Sequence, residues 1–222
     1  NMGLFDGFNS LLFADDNICL FCGEKIDKNA PYFLCEECIE RLEFLNREVY
    51  IDSPYIEKIV YSLFYNEYTR GKIYEYKYYN KSYLYKTFGE ILKYTIEDVP
   101  FLSNIDVITY VPIHRRRKAK RGFDQSELIA DYVSEALNIP LSKGNLVRTK
   151  HTIAQNKLAR SKRLENISGA FKVKDGDEFY NKEILLIDDI ITTGVTLNEC
   201  GKALLESGGK KVYALAITSG KR

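Results

Sequence analysis

The 222-residue chain lacks an apolar run long enough to cross a membrane, and its first residues lack the basic segment and apolar core of an export signal. We therefore expect a cytoplasmic protein with no membrane insertion. The chain also has little net charge, only +1, because 32 Lys and Arg oppose 31 Asp and Glu. A nucleic acid could then be attracted only by a local cluster of cations. No internal repeat or low-complexity segment is found, and the 45% hydrophobic content suffices for one main core with a small additional module.

Cysteines are few and odd in number. Four of the five form two close pairs, Cys19 with Cys22 and Cys35 with Cys38, separated by twelve residues. In a chain without an export signal this spacing favours metal ligation over disulfides, and four thiolates are typical of a structural zinc site. The alternative, two redox-active dithiols, needs two separate active-site environments. Cys200 stands alone and is predicted to be a small core residue of a helix.

Domain organisation follows from this pattern. We predict a zinc-binding module over residues 1–50 and a second domain over residues 51–222. Apolar residues at helical spacing over 38–46 predict a short helix behind the cysteines. Residues 55–94 contain eleven of the seventeen tyrosines, interleaved with lysines. We interpret this stretch as one strand and two amphipathic helices with a shared aromatic core; the alternative is a platform on which bases stack.

In the second domain, apolar segments of strand length alternate with amphipathic helices. This alternation, with short connections, predicts an α/β fold with a parallel sheet covered by helices on both faces. Asp124, followed three residues later by Glu127, has capping-box spacing and starts one helix. The hydrophilic segment 150–166 is too long for a routine connection and is a candidate mobile lid. Strands are expected at 105–111, 146–149, 169–173, 183–187 and 211–218, and helices at 124–137 and 195–207.

Two adjacent acids, Asp188 and Asp189, follow the strand at 183–187, at the end where open parallel sheets place their ligands. Neighbouring carboxylates repel each other unless polar or cationic groups share the crevice, which suggests ribose hydroxyls and a divalent ion. The loop at 191–196 then enters a helix, whose first amides and positive dipole end favour a phosphate. Gly194 permits close backbone approach. The alternative is a surface turn followed by an ordinary helix cap.

The order of an apolar strand, two acids, two apolar residues and Thr-Thr-Gly-x-Thr resembles the phosphoribosyl pyrophosphate signature of type I phosphoribosyltransferases. This resemblance implies a type I phosphoribosyltransferase-like fold and a site for phosphoribosyl pyrophosphate with magnesium. It assigns the ribose hydroxyls, and any catalytic role, to Asp188 and Asp189. The residues that the resemblance assigns to the 5′-phosphate are Thr192, Thr193, Gly194, Val195 and Thr196.

Cations are concentrated in residues 115–121, six of which are basic. The segment follows the strand at 105–111, which would lie beside the acidic strand, so a basic loop here could reach the same crevice. Arginine binds pyrophosphate oxygens in a bidentate way, and we assign His114, Arg115 and Arg121 to that ligand. The alternative is an ordinary solvated loop.

Taken together, the four cysteines, the phosphoribosyl signature and two further stretches resemble the ComF family of bacterial competence proteins, over residues 19–218. The stretches are Arg121-Gly-Phe-Asp-Gln125 and Gln155…Arg163-x-x-Asn166…Phe171. The family usually has asparagine where this chain has Asp124. The resemblance implies a role in DNA uptake during natural transformation, with single-stranded DNA or a DNA-translocating helicase as partner.

Three functions remain open from the sequence. The chain could be a competence protein that binds phosphoribosyl pyrophosphate, a transferase acting on a nucleobase-like acceptor in nucleotide salvage, or a sensor that binds the sugar phosphate without turnover. DNA could meet the basic segment 115–121, in competition with pyrophosphate, or the zinc module. The cations of that module are Lys25, Lys28, Arg41 and Arg47.

Overall fold

A computed structural model describes residues 17–149 and 168–220. These residues form seven strands and six α-helices. The strands are β1 (Phe44–Glu48), β2 (Lys58–Leu63), β3 (Val107–Tyr110), β4 (Leu146–Arg148), β5 (Phe171–Val173), β6 (Glu183–Ile191) and β7 (Lys211–Ser219). The helices are α1 (Glu36–Glu40), α2 (Glu67–Tyr78), α3 (Tyr85–Asp98), α4 (Arg115–Arg121), α5 (Gln125–Leu137) and α6 (Val195–Glu206).

Five strands form the main sheet in the order β1-β2-β7-β6-β3. β2, β7, β6 and β3 run parallel, and β1 joins the edge antiparallel to β2. Strands β4 and β5 pair antiparallel in a separate two-stranded sheet. The parallel α/β sheet expected from the sequence is thus confirmed, with one antiparallel edge strand added to it.

Helices cover both faces of the sheet because side chains alternate along each strand. Leu185 and Ile187 of β6 belong to a buried cluster with residues of α3 and α5. Ile184 and Leu186, on the opposite face, are buried with residues of α6. Cys200 of α6 is fully buried in this second cluster, which confirms its predicted core position.

Three local predictions need correction. The helix expected over 38–46 ends at Glu40, and residues 44–48 form strand β1, because pairing with β2 outweighs the helical periodicity. The basic loop is instead helix α4. Strand β6 continues past Ile187 to Ile191, since its residues keep pairing with β7 as far as Ser219.

The tyrosine-rich segment folds as predicted, into strand β2 and helices α2 and α3 around buried Tyr76 and Phe88. Phe21 of the cysteine module packs against Phe88 with ring centroids 5.9 Å apart. The division of the chain at residue 50 stays a prediction.

The proposed lid at 150–166, with Gln155, Arg163 and Asn166, lies outside the described residues. Across 17–149 and 168–220, no helix is long and apolar enough to cross a membrane.

Candidate functional site

A cleft of about 380 Å³ opens where the chain leaves β3 and where β6 meets α6. Its floor includes Asp188 and Asp189, which lie in the last part of β6. The main walls come from helix α2, from the start of α6 and from the segment between β3 and α5. Parallel sheets place ligands at this end of their strands, so the cleft lies where the sequence predicts a site.

The two acids have different partners. Asp188 accepts a hydrogen bond at Oδ1 from the backbone N–H of Asp189 at 2.8 Å and a longer one from the Ser126 hydroxyl at 3.4 Å. Asp189 forms an ion pair with Lys77, with Oδ1 and Nζ 2.8 Å apart. Burial and then repulsion from Asp189 raise the pKa of Asp188, against the backbone N–H of Asp189 and the charge of Lys77. A cation in the cleft would therefore relieve a real repulsion.

The turn into α6 is shaped for an anion. Gly194 has φ +82° and immediately precedes the helix, so its neighbours present backbone amides at the helix start. A Cβ on Gly194 would lie 2.6 Å from the Ile51 side chain, so both the angle and the space require glycine. Thr193 Oγ1 is buried and has no hydrogen-bond partner among the described residues. A buried hydroxyl without a partner can donate a hydrogen bond to an oxygen of a ligand.

Helix α4 presents the basic cluster. Its N-cap is His114, whose Nδ1 accepts a hydrogen bond from the Arg116 backbone N–H at 3.2 Å. Arg117 and Arg121 line the cleft, whereas Arg115 is exposed and does not. Burial and the neighbouring Arg121 lower the pKa of Arg117, as expected for cations crowded beside a polar cleft.

Asp124 joins this segment to helix α5. The side chain is only 3% exposed. Its Oδ1 accepts from the backbone N–H groups of Ser126 and Glu127 as a helix cap, and its Oδ2 accepts from Ile113 N–H at 2.9 Å. The predicted cap is confirmed. Glu127 pairs with Lys118 of α4.

The structure brings six of the predicted ligand residues to one cleft and leaves four off its walls. His114 is buried as a helix cap, and Thr193 and Val195, on either side of Gly194, are not among the residues that line the cleft. The roles of all ten stay predictions. The six residues on the walls are Arg121, Asp188, Asp189, Thr192, Gly194 and Thr196.

Sequence reasoning missed the contribution of helix α2. Arg70, Tyr74, Lys77 and Tyr78 all line the cleft. Their spacing of four, seven and eight residues from Arg70 places them on one helical face, so this pattern could have revealed them. Arg148 of β4 also lines the cleft, and no local pattern marks it.

The four cysteines form one cluster, with every pair of sulfur atoms within 4.8 Å. Cys22 and Cys35 have sulfur atoms 3.7 Å apart, close to the distance of about 3.8 Å expected between thiolates in a tetrahedral zinc site. Burial raises the pKa of the Cys19 thiol, but backbone N–H groups outweigh it and lower that pKa to about 7. One cluster of four ligands fits a metal ion and disfavours two separate dithiol sites.

No family model matches the chain. The chain is 29% identical over 215 residues to Competence protein F of Haemophilus influenzae, covering 94% of this chain and 93% of that protein. It is 24% identical over 210 residues to Competence protein ComFC of Bacillus subtilis, covering 89% and 82%. It is 30% identical over 112 residues to DNA utilization protein YhgH of Escherichia coli K12, covering 50% and 48%.

Two solved structures align with part of the chain. One is a glutamine phosphoribosylpyrophosphate amidotransferase from B. subtilis, with a TM-score of 0.40 and 20% identity over 59% of this chain and 25% of that one. The other is an adenine phosphoribosyltransferase from Leishmania tarentolae, with a TM-score of 0.38 and 15% identity over 62% and 71%. The sequence likeness to the two competence proteins extends over most of each chain. The chain is thus similar, over most of its length, to proteins named Competence protein F and Competence protein ComFC, which supports the resemblance to the ComF family.

Proposed function

We propose that the cleft binds phosphoribosyl pyrophosphate together with magnesium. The observation that carries this proposal is the juxtaposition of the Asp188–Asp189 pair with the Gly194 turn and the guanidinium groups of Arg117 and Arg121. Carboxylates suit ribose hydroxyls and hard divalent cations, the turn suits the 5′-phosphate, and arginine suits pyrophosphate. Ribose hydroxyls, a 5′-phosphate and a pyrophosphate are all groups of one molecule, phosphoribosyl pyrophosphate.

Ligand binding at Asp189 would compete with an existing ion pair between Asp189 and Lys77. The Nζ of Lys77 lies 2.8 Å from Asp189, and both side chains are largely buried, with exposed fractions of 17% and 15%. A ribose hydroxyl or a hydrated cation that engages Oδ1 of Asp189 would compete with the ammonium group. In the bound state Lys77 would be free to pair with a phosphate oxygen.

The cellular role is inferred from the names of the relatives. Relatives bear the names competence protein and DNA utilization protein, and we infer that this chain acts in DNA uptake during natural transformation. Its partners in this role are single-stranded DNA or a DNA-translocating helicase, in the cytoplasm. Binding of phosphoribosyl pyrophosphate would then serve as the ligand signal or as the source of the transferred group.

The alternative function is transfer of ribose phosphate to a nucleobase-like acceptor, with pyrophosphate as the leaving group. Arg117 and Arg121 beside the cleft favour it, because they would stabilise charge that develops on pyrophosphate. Release of pyrophosphate with one base from a panel, in the absence of DNA, would support this function. DNA binding without release would support the competence role alone.

The cysteine cluster is proposed to hold one structural zinc ion. Four thiolate ligands complete a tetrahedral shell and leave no position for substrate, so the metal would stabilise the fold and take no part in chemistry. The residues that would hold it are Cys19, Cys22, Cys35 and Cys38.

Calorimetric titration with phosphoribosyl pyrophosphate and magnesium tests the main proposal. Asp189→Asn should weaken binding by at least about tenfold, because the neutral amide holds a divalent cation more weakly than a carboxylate does and offers one acceptor fewer. The matched control is Asp131→Asn, which removes a carboxylate that pairs with Lys143 outside the cleft walls. Equal affinities of the two variants would rule out the assigned site.

A further inference from the structure

The tyrosine-rich segment has two distinct faces. Tyr76 is fully buried, and its hydroxyl donates to the Gln125 carbonyl at 2.8 Å, so this ring belongs to the core. Tyr74, Tyr78 and Tyr79 face outward, with exposed fractions of 54%, 56% and 64%. We call these three residues the tyrosine ledge. The aromatic core predicted from sequence therefore accounts for only one face of helix α2.

The rings of the ledge touch one another. The centroids of Tyr74 and Tyr78 are 4.7 Å apart, and those of Tyr74 and Tyr79 are 5.8 Å apart. Tyr74 and Tyr78 also line the cleft, so the ledge begins at its mouth. A contiguous group of exposed rings at the edge of a ligand site is a feature that packing does not explain.

Cations occur beside this ledge and on the helix next to it. The Arg121 guanidinium lies 5.0 Å from the centroid of the Tyr78 ring, and Arg70 is exposed one helical turn before Tyr74. Helix α4 adds exposed Arg115, Arg116 and Lys120. Two other nearby cations are already paired, Lys77 with Asp189 and Lys118 with Glu127.

We propose that the tyrosine ledge is a base-stacking site for single-stranded DNA, with the strand's phosphates on helix α4. The inference rests on the proposed function for its choice of partner. Three adjoining rings exceed what one small acceptor needs but suit successive bases of a strand, and aromatic stacking tolerates any base. Cations beside the rings complement the phosphates, as in other single-strand binding grooves.

The ledge is better suited to DNA than the zinc module is. The Arg41 guanidinium of that module lies 4.1 Å from the centroid of the Tyr68 ring, but this ring is partly buried, unlike the rings of the ledge. The ring of Phe21 in the module is buried, so it offers no surface for a base. Exposed rings and exposed cations occur together at the ledge.

The test separates bases from phosphates. Fluorescence anisotropy compares an oligothymidylate of about 15 nucleotides with an abasic strand of equal length and charge. Wild-type protein should bind the base-containing strand about tenfold more tightly or better. Tyr74→Ala combined with Tyr78→Ala should abolish that preference while changing affinity for the abasic strand by less than about twofold. Tyr78→Phe keeps the ring and should keep the preference.

Tyr50→Ala is the matched control, because Tyr50 is 86% exposed and is not among the residues that line the cleft. It should retain the base preference. Equal affinity of the wild type for both strands would refute the proposed base-stacking site. An unchanged preference of the double variant for the base-containing strand would refute it as well. Binding of phosphoribosyl pyrophosphate with magnesium is measured separately, by titration of the wild-type protein. The two measurements therefore distinguish a wrong DNA-site proposal from a wrong sugar-phosphate-site proposal.

Discussion

At the scale of single residues, Asp124 combines a structural and an electrostatic role. Its two oxygens accept from three backbone N–H groups and so tie the end of the β3 segment to the start of α5. An asparagine at this position would still cap the helix with its one oxygen. Its amide nitrogen could not accept from Ile113, because that group is a donor.

Because Asp124 is buried, we predict that its contribution to stability depends on pH. Burial, more than any other factor, raises the pKa of Asp124 to about 6, from an ordinary value of 3.8. The folded state therefore binds the proton more tightly than the unfolded state. This contribution to the free energy of unfolding is present below about pH 4 and is lost as pH rises through about 6.

Asp124→Asn removes this titration. We expect the stability of the variant relative to the wild type to increase by about 2 kcal/mol between pH 4 and pH 7. Urea unfolding at several pH values measures this difference. Asp131→Asn, at an exposed side chain, serves as control and should show no such trend. A constant offset between Asp124→Asn and the wild type would contradict the assignment.

At the scale of elements, glycine has opposite effects on the stability of helices α2 and α6. Gly194 starts α6 with a positive φ and with Ile51 against its α-carbon. Gly71 lies inside α2, where a Cβ would meet nothing within 4 Å. Glycine is needed at the first position and only weakens the helix at the second.

Two alanine substitutions check this contrast. Gly194→Ala should lower the free energy of unfolding by about 2 kcal/mol, because it strains the backbone and crowds Ile51. Gly71→Ala should raise it by about 1 kcal/mol, through reduced chain entropy and better helix propensity. Denaturant titration measures both. A Gly194→Ala variant as stable as the wild type would show that the turn can relax and would weaken its assignment to phosphate.

At the scale of the whole molecule, the cysteine module and the main sheet share one buried cluster. Cys19, Phe21 and Cys38 lie in the same cluster as Phe88 of α3 and Leu63 of β2. The Lys72 ammonium of α2 donates to the Phe21 carbonyl at 2.9 Å and adds a polar link. A metal ion in the module would therefore stabilise contacts that extend into the main core.

Removal of the metal should affect the entire fold. We expect one zinc per chain by elemental analysis, and a chelator strong enough to remove it should lower the midpoint of thermal unfolding by about 10 °C or more. Because the core is shared, unfolding should remain a single transition. A separate early transition with an unchanged main midpoint would show that the module folds independently. Absence of zinc from protein purified without chelators would refute the metal assignment.

The sequence alone determined the features that depend on local patterns. The apolar strand before Asp188, the turn at Gly194, the cap at Asp124 and the alternation of strands and helices are each encoded within a few neighbouring residues. The spacing of the four cysteines likewise predicted a cluster that the structure forms, with every pair of sulfur atoms within 4.8 Å. Local steric and hydrogen-bonding preferences suffice for these predictions.

Only the tertiary structure decided which distant residues meet. The pairing of Lys77 with Asp189 joins residues more than a hundred positions apart, and residues 44–48 become a strand only because β2 offers a partner. The outward placement of Tyr74 and Tyr78 likewise depends on which face of α2 the core covers. The spacing along helix α2 groups Tyr74 and Tyr78 on one face, but long-range contacts decide which face the core covers.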